Sequence, residues 1–170
     1  MRKTEFWWMY LLLLLAQVLL SNYATFTPYL TLSILPVMVL CIPIRVRVVP
    51  MMLIACASAL LVDLLSEGLL GLNALALVPV AYLRNRILRL NFGQELFARG
   101  EDFSVRRSSF GQVALALLMA QTLFLVIYIW ADGAGVRPLW FQAARLGISL
   151  VAGFLLSLPC LGLLSPDSRR

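Results

Sequence analysis

Apolar positions along this chain gather into six runs, residues 6–20, 29–44, 50–65, 69–83, 110–131 and 140–164, parted by short polar segments and one long one, residues 84–109. None keeps the strict alternation of a half-buried strand. Several are apolar on every side, the pattern of a helix surrounded by hydrocarbon or protein. Crossing about 30 Å of hydrocarbon takes about twenty residues at about 1.5 Å each, a length the fifth and sixth runs reach outright. The fourth reaches only about 22 Å and needs help from flanking residues or a thinner bilayer. Pro36, Pro79 and Pro159 lie within runs, where a missing N–H and a ring clash predict an interruption or kink.

Composition turns this pattern into a class. With 62% hydrophobic and 13% charged residues over 170 positions, and a mean hydropathy of +0.92, the chain carries far less charge than a soluble domain, where about a quarter of residues are charged. An all-α integral membrane protein with one six-helix domain over residues 1–170 is the reading. Phe6, Trp7, Trp8 and Tyr10 form an aromatic belt at the entrance to the first run, which reads as an uncleaved span because Ser21, Asn22 and Ala24 make a poor cleavage pattern.

Net charge is +6, a value that raises nucleic acid as a partner until the cations are located. They flank apolar runs without any nucleic-acid-binding motif, so they read as orientation signals. Threading six runs alternately puts Arg2, Lys3, Arg45, Arg47, Arg84, Arg86, Arg89, Arg99, Arg106, Arg107, Arg169 and Arg170 on one face, against Arg137 and Arg145 on the other. The positive-inside rule then predicts N-in, C-in, with residues 84–109 a cytoplasmic loop and Ile87 to Phe97 a helix on the membrane surface.

Chemistry is bounded as sharply. The chain has no histidine, which removes Ser/His/Asp and Cys/His nucleophilic sites and the HExxH zinc motif, and no Walker A or GxGxxG loop occurs. No enzyme, metal or cofactor is expected. Cys41, Cys56 and Cys160 lie within or beside apolar runs with no CxxC spacing and read as packing residues. Asp63, near the end of the third run, is the acid to weigh, since an intramembrane ionisable group is a functional candidate by default. Its expected partner is Arg145 on the sixth run, in a structural pair; interfacial snorkelling, partner recognition and transport chemistry are the other readings. Small residues Ala55 and Ala59, then Ala143 with Gly147 and Gly153 with Ser157, predict close helix packing.

One stretch is more specific than the rest. Residues 59–89, ALLVDLLSEGLLGLNALALVPVAYLRNRILR, form a hairpin: a helix ending at Asp63, a turn through Ser66, Glu67 and Gly68, Gly71 and Asn73 where the turn enters a second helix, then Pro79 within that helix and its end at Ala81, Tyr82 and Leu83, with Arg84, Arg86 and Arg89 at its foot. This hairpin resembles the central signature of the MreD family of rod shape-determining membrane proteins. The resemblance covers about thirty residues. It implies a multi-pass protein of the bacterial inner membrane, similar in architecture to the substrate-binding component of energy-coupling factor transporters. It also implies a non-enzymatic scaffold of the cell-elongation machinery that makes peptidoglycan. Its partners would be the transmembrane helix of MreC, with MreB, RodA and a class B penicillin-binding transpeptidase, besides membrane lipid. Asp63, Gly68, Gly71, Asn73, Pro79 and Arg145 would then serve partner binding or the hairpin itself. A vitamin-type substrate-binding component of a transporter is the alternative. Against it stands a thin polar inventory within the runs: Gln17, Asp63, Asn73, Gln121, Gln142 and Arg145.

Overall fold

The computed structural model describes residues 3–23, 30–43, 46–66, 69–93, 110–133 and 138–164, and among them the proline-punctuated apolar runs become six helices. They are α1 (Lys3–Tyr23), α2 (Leu35–Cys41), α3 (Val48–Leu65), α4 (Leu72–Phe92), α5 (Phe110–Gly133) and α6 (Leu139–Leu164), and no strand occurs among the described residues. Windows in α1, α3, α5 and α6 are long and apolar enough to cross a membrane: Phe6–Tyr23, Val48–Leu65, Gly111–Gly133 and Leu139–Leu161. These four follow the first, third, fifth and sixth runs closely.

The second run does not become one long helix. Pro36 has no N–H for the carbonyl of Leu32, so the helix cannot extend upstream; its first turn instead closes with Met38 N–H donating to Ile34 O at 3.2 Å. Downstream, Ile42 precedes Pro43 and sits at φ −56°, ψ 137°, the extended conformation forced on a residue before proline. Two prolines therefore trim a run expected over residues 29–44 to the seven residues of α2, about 10 Å long, with irregular backbone at 30–34 before it.

The fourth run departs the other way. Expected to end at Leu83, the helix continues to Phe92, giving α4 21 residues and about 31 Å. Residues 84–92 therefore belong to α4 and not to a polar loop or surface helix. The reason is periodic: Leu77, Val80, Ala81, Arg84, Ile87, Leu88 and Asn91 recur every three or four residues and are all buried, so the final turns are held by core contacts. Pro79 and Pro159 lie inside α4 and α6, which continue through them. Residues 94–109, including Leu96 and Phe97 of the expected surface helix, lie outside the described residues.

Helices α3, α4, α5 and α6 pack in chain order, and α1 touches α3 and α6, closing a ring. All five contact α2 in the middle. Leu35 and the run Val37 to Leu40 are completely shielded, while Trp8, Leu11, Leu15, Leu53, Leu64, Trp130, Val151 and Leu155 point outward and stay exposed. An apolar exterior around a core holding Gln17, Asp63, Arg84, Gln121 and Ser149 suits hydrocarbon surroundings, and the four long apolar helices make this a multi-pass membrane architecture.

Candidate functional site

Irregular backbone buried among helices is tolerable only when other groups satisfy its N–H and C=O, each costly if left bare. Residues 31–34, leading into α2, meet this demand through side chains from three surrounding helices. Gln17 on α1 accepts from Ile34 N–H at 2.6 Å and donates its amide to Leu32 O at 3.3 Å, the carbonyl Pro36 cannot serve, and to Ser21 Oγ at 3.0 Å. Gln121 on α5 donates to Ser33 O at 3.3 Å, and Ser149 on α6 accepts from Thr31 N–H at 2.8 Å. Gln121 reaches its place because Gly153 on α6 has no Cβ, which would collide with the glutamine amide. Ser33 Oγ and Gln121 Oε1 are the buried side-chain atoms left without a partner here.

Arg84 holds the other end. It is fully shielded on α4, and its guanidinium donates to Leu40 O from Nε at 3.2 Å and Nη2 at 3.0 Å, with a further bond from Nη2 to Ile42 O. Nη1 lies 3.5 Å from Met51 Sδ on α3. The last carbonyls of any helix lack internal donors and carry partial negative charge, so a cation placed there satisfies both needs. One buried segment is thus gripped by Gln17, Gln121 and Ser149 at its start and by Arg84 at its end.

A second polar group lies where α3 turns into α4. Asp63, 2% exposed, accepts from Gly71 N–H at 2.9 Å and from Asn73 through its backbone N–H at 3.3 Å and its side-chain amide at 2.7 Å. Leu72–Phe92 opens after Gly71, whose φ of 90° is a left-handed conformation strained for any residue with a Cβ. Asp63 therefore caps α4 from the preceding helix, using a carboxylate where amides and dipole favour an anion.

Comparison with protein-family models, with curated proteins and with solved structures gives no match.

The expected Asp63–Arg145 pair does not form. Arg145 on α6 pairs with Asp132 on α5 and donates from Nε to Thr31 Oγ1 at 3.0 Å, both charged side chains being partly buried. The ring explains this, because α1 stands between α3 and α6, which do not touch, whereas α5 and α6 are neighbours. Asp63 and this ion pair nevertheless occupy one end of the bundle, since the Tyr128 hydroxyl lies within electrostatic reach of Asp132, Arg145 and Asp63.

The remaining candidates separate by face. Ala55 and Ala59 are buried on α3, and Pro79 is half-buried on α4. Gly153 and Ser157 point inward, Ser157 Oγ donating to Gly153 O at 2.7 Å, while Ala143 and Gly147 point outward and a Cβ on Gly147 would meet nothing. Gly68 lies outside the described residues. Arg84, Ser149 and Asp132 make site contacts that composition does not single out; for Arg84 the usable signal is its place on the buried stripe of α4, opposite Arg86 and Arg89. Among the described residues no three His, Cys, Asp or Glu side chains converge as metal ligands. The assembled groups bond to backbone and to neighbouring side chains of the same chain.

Proposed function

We propose that this chain is a non-enzymatic membrane scaffold of the MreD type, crossing the bacterial inner membrane six times with both termini inside. In this role it binds the transmembrane helix of an MreC-like partner within the cell-elongation machinery alongside MreB, RodA and a class B penicillin-binding transpeptidase. The observation that carries the reading is how the interior polar groups are used. Gln17, Asp63, Arg84, Arg145 and Ser149 each bond to the chain's own backbone or to a neighbouring side chain, whereas a carrier for a polar vitamin needs such groups turned toward its cargo. α4 supports six crossings, since its 21 residues reach about 31 Å and its one fully shielded cation, Arg84, is occupied by α2. The second crossing would combine α2 with the irregular stretch before it.

A scaffold offers its outside. Ala143 and Gly147 lie one turn apart on the exposed face of α6, where small residues let a foreign helix approach the backbone and pack by contact and weak hydrogen bonding. Extraction in mild detergent tests the reading: a single-span protein with a periplasmic coiled coil should copurify in fixed proportion, and depletion should round a rod-shaped host. Recovery with a paired ATPase module, or normal rods after depletion, would overturn it in favour of a transporter component.

A further inference from the structure

The cations of α4 divide between two faces. Arg84 points inward to α2, whereas Arg86 and Arg89 lie on the exposed face together with Tyr82 and Leu90. Spacings of three, four and seven residues set these four side chains along one stripe. The stripe is apolar on both sides of its charges: Leu75 and Tyr82 are 57% and 53% exposed toward the start of the helix, and Leu90 is 77% exposed at its end. A cation patch made for water or an acidic soluble partner would leave Leu90 and Leu75 bare. A lipid headgroup layer matches all of them at once. Arg86 and Arg89 stand about 21 and 26 Å along the helix from Leu72, in the part of α4 that approaches the far side of a hydrocarbon layer about 30 Å thick, where long arginine stems reach the headgroups. An arginine fork binds phosphate oxygens in a bidentate way, and a tyrosine ring suits the boundary between chains and headgroups.

We propose that this face is a binding site for an anionic glycerophospholipid, with Arg86 and Arg89 clamping the phosphate and an acyl chain lying over Tyr82 and Leu75. The inference rests on α4 crossing the bilayer and not on any protein partner of the scaffold.

The test is native mass spectrometry of the full chain in mild detergent, titrated with phosphatidylglycerol or phosphatidylethanolamine. Phosphatidylglycerol should bind more tightly. Arg86→Gln with Arg89→Gln should weaken it by about 25-fold, at about fivefold for each arginine, and weaken binding of phosphatidylethanolamine, whose ammonium offsets its phosphate, by a clearly smaller factor. Arg169→Gln with Arg170→Gln, which removes the same charge at the C-terminus, should leave both lipids unaffected. Equal phosphatidylglycerol binding by the α4 variant, equal loss in the C-terminal variant, the same fold-loss for both lipids, or displacement by inorganic phosphate would each overturn the proposal. Reporter fusions at Ser66 and Gly93 in the same variants keep the outcomes distinct: both reporters on one side refute the crossing, whereas opposite sides with no lipid preference refute only the lipid site.

Discussion

Replacing Arg84 with methionine isolates the grip on α2. The substitution keeps a long apolar stem but removes the donors that serve Leu40 O and Ile42 O in a region shielded from solvent. Each carbonyl left without a partner costs about 1–3 kcal/mol, so the pair should cost about 2–6 kcal/mol. Relief from holding a cation out of water offsets part of this. For a chain of this size about 1 kcal/mol moves the melting temperature by about 2–4 °C, which puts the drop at about 4 °C or more before that offset and leaves a net loss of a few degrees. The control is Arg86→Met on the same helix, which removes an identical charge from the exposed face and should change stability by no more than about 0.5 kcal/mol. Thermal unfolding of both variants in one detergent, followed by size-exclusion chromatography, gives the comparison. If Arg84→Met melts no lower than Arg86→Met, the guanidinium is not holding the end of α2 and the reasoning fails.

Other substitutions probe the remaining contacts. Asp63→Ala strands three donors at the α3–α4 turn and should destabilise by about 2–4 kcal/mol, with Asp63→Asn in between because its amide keeps one acceptor; equal melting of all three proteins would reject the cap. Gly71→Ala should cost about 1–2 kcal/mol through its left-handed backbone alone, read as a lower melting temperature. Exchanging charges in Asp132→Arg with Arg145→Asp should recover folded protein lost in either single variant, by about 1 kcal/mol for this partly buried pair, whereas Asp63→Arg with Arg145→Asp should recover none. Gly147→Leu should leave melting unchanged yet prevent capture of the partner helix, and Gly153→Leu should lower melting by displacing Gln121; the reverse pattern would contradict the assignment of their faces.

Long uninterrupted runs were the easily legible part of the fold, because α1, α3, α5 and α6 need only length and hydropathy to be seen. α2 was hidden by the same criterion: Tyr29 to Ile44 is apolar enough for a span, and only the placing of Pro36 and Pro43 reveals that seven residues can be helical. α4 was hidden in the opposite way, since Arg84, Arg86 and Arg89 look like the start of a loop until their phase against Val80, Ala81, Ile87 and Leu88 is considered. At the candidate site, Asp63, Gly71 and Asn73 lie close in sequence, and their union follows from a tight hairpin. The contacts of Gln17, Gln121 and Arg84 join residues from 15 to 88 positions apart, and such long-range hydrogen bonds leave no periodic trace. The partner of Arg145 depended on which helices are neighbours, a fact set by the ring order and not by depth along each helix.

Hydrogen–deuterium exchange across residues 30–43, read by mass spectrometry on the detergent-solubilised protein, tests the buried, doubly gripped α2 most directly. The account predicts slow exchange in the unmodified chain, with Gln17→Leu releasing the Ile34 amide while Thr31, held by Ser149, stays protected, and Arg84→Met releasing only amides at the Cys41 end. Rapid exchange across the whole segment without any substitution, or protection untouched by both variants, would contradict it.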